Sequence, residues 1–431
     1  MFIKFFIFLF MAQLSWSSLF AKNVIFVVTS ETVGGKGVFE LYDQMKKDGH
    51  DVTLVAIPSF YDGELLAEID KDFIEKFDSK DVIFPCGERP PYKHCADVSH
   101  YRSNIDVIFV QNPYDSYKNS ILEPNYLTST LKPKAQYLMY TIYGPHIFHQ
   151  DTINDVNLKN LVDHVYVDSE STKDIYIKRY KFPPNRVHVS GYQTYKNVRD
   201  RMSESQDQSG TDKKETILWL PRWYLSYANK SLFEGGSTFL SYHYFFYNYA
   251  KEHPEINFII RPHILLFSFP VQQKFLSQED FDAIFERLAS LKNVTISRHD
   301  NIPLINDILK SDIVISDGTS ALAEVVVADK PIIYLSNGWN NEFNSNQLSR
   351  EFKNYIYFAY SPPEIFSFIE EIRMNQYKPF SERNWNESMR SRLGYLKRIL
   401  LGQTVSREEF KKMLDPVENP AKFISTHVNG L

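Results

Sequence analysis

Ser316–Gly338, the stretch SDGTSALAEVVVADKPIIYLSNG, decides the fold. The apolar run Ile313–Ser316 leads into it and predicts the end of a buried strand, and Asp317–Gly318 predicts a sharp turn. The pattern over Thr319–Asp329 indicates a short helix, and Pro331–Leu335 predicts the next buried strand. Strand, turn, helix and strand in this order form the repeating unit of a parallel α/β sheet.

Three polar residues crowd the start of the predicted helix, namely Asp317, Thr319 and Ser320. The first N–H groups of a helix have no partner within it, and together with hydroxyl donors they suit a phosphate or diphosphate. Glu324 lies four residues after Ser320, so its carboxylate would face the same way and could accept from ribose or polyol hydroxyls. The alternative is that Asp317 only caps the helix and Ser320 occupies a tight turn.

Length and composition bound the class of protein. The chain has 431 residues, enough for two or three domains, and its 43% hydrophobic and 23% charged content is typical of a folded protein. Aromatic residues reach 15%, which fits work against sugars or a membrane surface. A net charge of -5 argues against a general nucleic-acid binder.

The first half of the chain alternates between strands and helices. The predicted strands are Asn23–Thr29, Asp51–Ile57, Asp81–Phe84, Ile105–Tyr117 and Ala135–Thr141, with helices over Val38–Asp48 and Glu64–Phe77. A glycine-rich loop that includes Gly34 and Gly35 follows the first strand and could admit a ligand, although it lacks the G-x-G-x-x-G fingerprint. Ligands of open α/β sheets bind at the carboxyl ends of strands, so the polar residues here are candidates for binding the acceptor of a reaction, namely Gln111, Asn112, Tyr114 and Asp115. The alternative for each is packing or capping of the loop.

The opening motif resembles the S-D-x-[ST]-S…E segment of CDP-glycerol glycerophosphotransferase-like proteins. Further similar pieces are LPRWY after the strand Thr216–Leu220 and Arg261-Pro262-His263 after Ile256–Ile260, and the likeness spans Asp106 to Tyr357. The resemblance implies an α/β protein of GT-B type, with two Rossmann-like domains whose parallel sheets face each other across a cleft. The first domain would bind an acceptor, and the second a nucleotide-activated donor.

The resemblance also implies roles for single residues. Arg261 would hold a phosphate, His263 would stabilise the leaving group, and Arg222 would meet phosphate beside Trp223. Many family members carry W-H-G-T-P where this chain has IYGPHIFH, so Gly144 is kept while Tyr143 replaces the histidine. His146, two residues after the glycine, could substitute as a general base, and the favoured alternative is a structural role in the loop. The predicted sites are therefore His263 and His146 for catalysis; Arg222, Arg261, Asp317, Thr319, Ser320 and Glu324 for the donor; and Gly34, Gly35, Asn112, Tyr114, Asp115 and Gly144 for the acceptor.

The domain boundaries follow from composition and from the resemblance. We expect an apolar segment 1–21, an acceptor domain 22–200, a linker 201–215, a donor domain 216–375, and C-terminal helices 376–431 that return to the first domain. The helix predicted over Glu382–Leu400 has an apolar stripe edged by basic residues and could touch an anionic membrane. The favoured alternative is that it packs back across the two domains with its charges solvated.

The N-terminus and the cysteines do not decide between a cytoplasmic and an exported protein. Met1–Ala21 resembles a signal-peptide core but is too short and polar for a membrane span, and we favour a peripheral anchor or an over-long start over a cleaved signal. Cys86 and Cys95 could form one disulfide after export, and equally suit a reducing compartment. The expected location is the cytoplasmic face of the inner membrane, with export as the alternative.

The functional prediction is transfer of a sugar or polyol phosphate from a nucleotide-activated donor to a cell-surface polysaccharide, lipopolysaccharide or lipid-linked acceptor. Because the W-H-G-T-P histidine is missing, a glycosyl donor is slightly preferred over CDP-glycerol. No D-x-D-like motif ends a strand, so neither a metal nor another cofactor is required. The alternatives are a CDP-glycerol glycerophosphotransferase of teichoic-acid or capsule type, a sugar-nucleotide epimerase, and an exported two-lobed glycan-binding protein.

Overall fold

The computed structural model describes the chain except residues 1–20, 30–35, 62–63, 93, 112–122, 143, 148–157, 206–213, 224–236, 273, 299–302, 337–342, 344–345, 378–404 and 406. Two compact units contain the described residues. The first unit comprises Met1–Gly144, Asp151–Lys196 and Pro416–Leu431, and the second comprises Pro145–Gln150 and Asn197–Asp415.

A parallel sheet forms the centre of the first unit. The unit contains strands β1 Asn23–Val28, β2 Asp51–Ala56, β3 Ser59–Tyr61, β4 Glu64–Ala67, β5 Val82–Ile83, β6 Ile105–Val110, β7 Ala135–Thr141, β8 His164–Val167 and β9 Val187–Val189. Seven of them pair in parallel in the order β5-β2-β1-β6-β7-β8-β9, whereas β3 and β4 form a separate antiparallel pair. The central strands are apolar over nearly their whole length because helices cover both faces of such a sheet.

The helices of the first unit are short except at its boundary. They are α1 Val38–Lys47, α2 Lys71–Ile74, α3 Thr128–Leu131, α4 Leu158–Leu161, α5 Glu170–Lys178 and α6 Gln193–Ser205, with 3-10 turns at Ser79–Asp81, Val98–His100, Pro124–Tyr126, Lys132–Lys134 and Pro184–Arg186. α6 crosses from the first unit into the second, so Met202–Ser205 of the predicted linker are helical.

The helix predicted over Glu64–Phe77 is wrong. Glu64–Ala67 pairs with Ser59–Tyr61 as a strand, and a helix begins only at Lys71. Its start is fixed by Asp70, whose Oδ1 accepts from the Phe73 N–H at 3.0 Å. Pairing with a neighbouring strand therefore overrides the helical spacing of the apolar residues here.

A second parallel sheet forms the centre of the second unit. Its strands are β10 Thr216–Leu220, β11 Asn257–Ile260, β12 Val294–Ile296, β13 Ile313–Ser316, β14 Ile332–Leu335 and β15 Ile356–Ala359. The helices are α7 Phe239–Glu252, α8 Phe269–Gln272, α9 Gln278–Ala289, α10 Leu304–Lys310, α11 Leu322–Val327, α12 Gln347–Lys353, α13 Pro362–Met374 and α14 Arg407–Leu414, with a 3-10 turn at Ile264–Phe267. The last helix of the chain, α15 Pro420–Asn429, belongs to the first unit.

α15 is fastened to α1 by polar contacts at the end of α1. Asp48, which follows α1, accepts a hydrogen bond from the Ser425 hydroxyl at 2.5 Å and pairs with Lys422 at 3.0 Å. These hydrogen bonds lower the pKa of Asp48, against the opposite effect of its burial. The C-terminal residues thus complete the first unit although most of the second unit precedes them in the chain.

In each sheet, the order in which successive strands are added reverses at one pair of strands. The second sheet has the order β12-β11-β10-β13-β14-β15, so the chain builds outward from β10 to one side and then returns to build outward from β13. The first sheet repeats this pattern about β1 and β6. This is the Rossmann arrangement, in which ligands bind beyond the carboxyl ends of the two strands where the order reverses. The prediction of two Rossmann-like domains with parallel sheets is confirmed.

Aromatic residues fill the core of the second unit. Trp219 on β10 is fully buried. The centroid of its ring lies 4.4 Å from that of Phe246 and 5.5 Å from that of Phe239, and both phenylalanines are on α7. Such ring pairs add to the stabilisation from burial of their area. Much of the aromatic content of this unit is therefore structural rather than directed at a sugar or a membrane.

Two structural features bear on the compartment of the protein, namely a disulfide and the character of its helices. Cys86 and Cys95 are joined by a disulfide. Among the residues described, no helix has both the length and the apolar character that crossing a membrane requires. The basic helix predicted over Glu382–Leu400 and the segment Met1–Phe20 lie outside the described residues.

Replacing Trp219 with Ala should lower the free energy of unfolding of the second unit by about 3–5 kcal/mol, because a large cavity would remain between β10 and α7. Urea unfolding followed by circular dichroism would measure the change. Tyr244→Ala is the matched control, since Tyr244 lies on the same helix with 57% of its surface exposed, and it should change stability by no more than about 0.5 kcal/mol. Equal losses in the two variants would contradict the assignment of this core.

Candidate functional site

The candidate site lies at the carboxyl edge of the second sheet. Arg222 and Trp223 follow β10, Arg261 and His263 follow β11, and Asp317–Ser320 follow β13. These three strands are adjacent, and β10 and β13 are the pair at which the strand order reverses. The structure therefore brings the predicted donor residues to neighbouring strand ends.

Asp317 links the turns that follow β10 and β13. Its Oδ1 accepts from the Arg222 N–H at 2.7 Å, and its Oδ2 accepts from the Thr238 N–H at 2.6 Å and the Thr238 hydroxyl at 2.9 Å. Burial raises the pKa of the Asp317 carboxyl, while these donors act in the opposite direction. Asp317 thus does not cap the helix that follows it, and its carboxylate positions the Arg222 turn and the start of α7.

The environment of Arg261 differs from the one that its predicted role requires. Its side chain is 2% exposed and lies 2.7 Å from the carboxylate of Asp307, with which it forms an ion pair. Asp307 belongs to the first turn of α10. The Ser297 hydroxyl accepts from the same guanidinium nitrogen at 3.1 Å and donates to Asp307 at 2.5 Å. The arginine therefore fixes β11 to α10 from within the unit, and this conformation does not support a contact between its guanidinium and a ligand phosphate.

His263 lies nearer the surface, beside an aromatic residue of the neighbouring turn. Its ring Nδ1 accepts from the Leu265 N–H at 3.2 Å, and its backbone N–H donates to the Pro221 carbonyl at 3.0 Å. The ring centroids of His263 and Trp223 are 6.2 Å apart. An Nδ1 that accepts a hydrogen bond places the proton of the neutral imidazole on Nε2, where it can donate.

The turn after β13 is shaped by Gly318. Its φ is +102°, and a Cβ added there would lie 2.9 Å from the Tyr334 hydroxyl. Gly318, Thr319 and Ser320 are half-exposed, and α11 begins at Leu322, two residues after Ser320. Ser320 and Glu324 are therefore not on successive turns of one helix as predicted, and Glu324 is buried with 6% exposure.

The remaining predicted residues divide between buried positions and positions that the structure does not describe. His146 is fully buried, its carbonyl accepts from the Asn346 side chain at 3.2 Å, and burial lowers its pKa to about 3. Gly144 is buried in the first unit. The acceptor candidates Gly34, Gly35, Asn112, Tyr114 and Asp115 lie outside the described residues, and so does Tyr143.

Comparisons with known proteins agree on the fold. The wall teichoic acid polymerase TagF superposes with a TM-score of 0.55 at 13% identity, over 95% of this chain and 89% of that chain. UDP-GlcNAc 2-epimerase from Neisseria meningitidis, bound to UDP-GlcNAc, superposes with a TM-score of 0.53 at 10% identity, over 94% and 99%. The chain has a GT-B fold. No family model and no curated protein matches the sequence.

Within this GT-B fold, sequence reasoning missed the residues that hold the site together. Asp307 lies 46 residues after Arg261, and Thr238 lies 79 residues before Asp317. An acidic residue inside an otherwise amphipathic α10 was the one available signal for the first pair. Nothing in the sequence spacing identifies Thr238 as the partner of Asp317.

Replacing Arg261 with Ala should lower the free energy of unfolding by about 3–5 kcal/mol, because Asp307 would remain buried and uncompensated. The double variant Arg261→Met, Asp307→Leu should recover most of this loss, since it removes both charges. Urea unfolding of the parent and of the single and double variants would measure both effects. A stable Arg261→Ala variant that only loses nucleotide affinity would restore the predicted role of Arg261 as a ligand.

Acid should destabilise the second unit through His146. Its folded pKa of about 3 lies below the ordinary value of 6.5, so the unfolded chain binds a proton that the folded chain does not. Stability is then lost as the pH falls below 6.5, by about 2 kcal/mol between pH 7 and pH 5 from this group alone. Urea unfolding at both values should show a smaller pH effect in His146→Phe than in the parent. His100→Phe, at an exposed histidine, should keep the parental difference, and an equal difference in all three proteins would contradict the assignment.

Proposed function

We propose that this chain is a transferase that moves a sugar from a nucleotide-activated donor to a cell-surface polysaccharide, lipopolysaccharide or lipid-linked acceptor. Transfer of a polyol phosphate from a donor such as CDP-glycerol is the second form of the same proposal. One observation carries it. Arg222, His263 and Ser320 follow three adjacent strands at the reversal point of a Rossmann-like sheet, where nucleotides bind in such folds.

The donor diphosphate would lie against the turn after β13. Gly318 gives this turn its φ of +102°, and the half-exposed Thr319 and Ser320 supply two hydroxyl donors beside it. The half-buried Arg222, whose backbone Asp317 holds in place, would add a charge-assisted contact. The structural neighbours support this class of donor, because one is bound to UDP-GlcNAc and another polymerises teichoic acid.

His263 would stabilise the leaving group. In the transfer, the acceptor hydroxyl forms a bond to the anomeric carbon of a sugar, or to phosphorus in the second form, while the bond to the oxygen of the departing phosphate breaks. The proton of the acceptor hydroxyl would pass to the departing phosphate or to water. Because Nδ1 accepts the Leu265 N–H, Nε2–H of the neutral ring can donate to that oxygen as negative charge develops on it. This arrangement requires no covalent intermediate.

The residues proposed for acceptor binding follow two strands of the first unit. Asn112, Tyr114 and Asp115 follow β6, and Gly34 and Gly35 follow β1, so both groups follow the strands at which the first sheet reverses. Their role stays a prediction, together with peripheral contact at the cytoplasmic face of the inner membrane. His146 is a poor general base near neutral pH because its pKa is about 3, and we assign it no step.

Nucleotide binding should depend on three residues to different degrees. Arg222→Ala should weaken binding of UDP or CDP by about 1.5–3 kcal/mol, and Ser320→Ala by about 0.5–1.5 kcal/mol, because the first removes a charged donor and the second a neutral one. His263→Ala should leave binding nearly unchanged and lower kcat about 100-fold, since it removes a donor that acts on the departing phosphate. Calorimetry with UDP and CDP, followed by rates with the nucleotide sugar or CDP-glycerol that the tighter one indicates, would test these values.

His253→Ala is the matched control for His263→Ala. His253 ends α7 and pairs with Glu255 at 3.0 Å, before the amino end of β11, so it lies at the opposite edge of the same sheet. Its loss should leave both nucleotide affinity and kcat unchanged. If neither UDP nor CDP binds the parent protein, or if all three site variants bind and turn over like the parent, the proposed donor site is wrong.

The disulfide favours a second candidate function. Disulfides persist in oxidising compartments, and the Cys86–Cys95 bond is therefore the observation that supports an exported two-lobed glycan-binding protein. Intact-mass analysis of the native protein under thiol-blocking conditions would separate the two candidates. Loss of about the first 21 residues with both cysteines bonded would favour the binding protein, and unmodified residues 1–21 with both thiols blocked would favour the transferase.

A further inference from the structure

Three histidines of the first unit converge where α15 covers the last strands of the sheet. His164 opens β8, His188 is the middle residue of β9, and His427 lies near the end of α15. The ring centroids of His188 and His427 are 4.3 Å apart, those of His164 and His427 are 4.8 Å apart, and those of His164 and His188 are 5.1 Å apart. The potential ligand nitrogens of the three rings all lie within 4.8 Å of one another.

The sheet itself produces this convergence. Residues two apart in a strand face the same side, so His164 and Tyr166 share one face of β8. His188 stands opposite Tyr166 in the register of β8 and β9. The Tyr166 hydroxyl lies 2.7 Å from Nδ1 of His427, which brings the helix onto the same face. Three histidines from distant parts of the chain therefore meet on one covered surface.

We propose that His164, His188 and His427 bind a divalent transition-metal ion, with zinc as the preferred ion, and that the ion fastens α15 to the sheet of the first unit. This site is separate from the proposed donor site, which belongs to the second unit. Three histidines with a fourth position for water are a known zinc ligand set.

On binding a zinc ion, the distances between the nitrogens would change by up to about 1.5 Å. A tetrahedral zinc ion about 2.0–2.1 Å from each nitrogen places the nitrogens about 3.3–3.4 Å apart. His164 Nδ1 and His188 Nε2 are now 2.9 Å apart, so they would separate slightly, while the widest pair would close by about 1.5 Å. The ion would replace the proton that these two rings share. If Nε2 of His427 is the ligand, the Tyr166 contact at Nδ1 becomes the outer hydrogen bond that orients a metal-binding ring.

The groups around the cluster favour a metal ion that binds nitrogen ligands. Lys173 lies near His188, Arg186 and Lys132 lie near His164, and the carboxylate of Asp163 is engaged by Lys132 and the Leu138 N–H. With no carboxylate ligand among these groups, calcium and magnesium are disfavoured, since they bind oxygen ligands. Imidazole nitrogens suit zinc, copper and nickel.

The test uses the full chain with any affinity tag removed, since the tag itself would bind metal. After treatment with a chelator, the parent protein should bind one Zn²⁺ per chain in calorimetry, and Co²⁺ in its place should give the visible absorption of a tetrahedral site. His188→Gln and His427→Gln should each weaken Zn²⁺ binding more than about tenfold. Tyr166→Phe, which keeps the buried ring but removes the outer hydrogen bond, should weaken it about tenfold.

His243→Gln is the matched control, because His243 is a partly buried histidine of α7 whose Nδ1 lies 3.0 Å from the Leu240 carbonyl, outside the cluster. It should bind Zn²⁺ like the parent. Hydrogen exchange across Pro420–Asn429 should slow on addition of Zn²⁺ in the parent and remain unchanged in His188→Gln. Absence of stoichiometric binding by the parent, or equal binding by the parent and the cluster variants, would overturn the proposal. Zinc binding without slower exchange in α15 would overturn its fastening role.

Discussion

The buried carboxylate of Asp317 is the interaction on which the second unit's candidate site depends. Turns that leave a parallel sheet carry N–H groups that no strand can pair, and a buried N–H without a partner is costly. Asp317 accepts two such groups, from Arg222 and Thr238, and the hydroxyls of Ser237 and Thr238 as well. It thereby joins the turn after β10, the turn after β13 and the start of α7. Burial of the acid raises its pKa, and these donors offset part of that cost. The positions of Arg222, Thr319 and Ser320 follow from this junction.

A buried frame and a half-exposed set of residues can therefore be separated at this sheet edge. Arg261, Asp307 and Ser297 form a second internal junction, which ties β11 to α10. Neither junction leaves its charge at the surface, although both contain residues that a motif search assigns to the ligand. Arg222, His263, Thr319 and Ser320 occupy the adjoining half-exposed positions. A binding site held in this way loses little entropy when a ligand arrives, because the frame already fixes the turns that carry its donors.

Sequence reasoning reached the strands more reliably than the site. Ala135–Thr141 and Thr216–Leu220 were predicted with the bounds they have, because strands buried on both faces are continuous apolar runs. Glu64–Ala67 was predicted as helix because a short apolar pattern fits either period, and only its partner strand decides between them. The role of Arg261 was misjudged for the same kind of reason, since Asp307 is remote in sequence. The resemblance to a family implied two Rossmann-like parallel sheets, but no local pattern shows the order of their strands or where that order reverses.

The fold constrains the chemistry less than the likeness to known structures suggests. At 10–13% identity, what this chain shares with its structural neighbours is the succession of apolar strands and the helices between them, and such patterns tolerate almost any turn residue. The turns are where one GT-B protein would differ from another. Here the turn after β7 carries Tyr143 and a buried His146 where the resembling family carries a histidine before its glycine, whereas the turns after β10, β11 and β13 keep Arg222, His263 and Ser320. These residues thus support the donor half of the proposed transfer more than its acceptor half, for which most candidate residues lie outside the described residues.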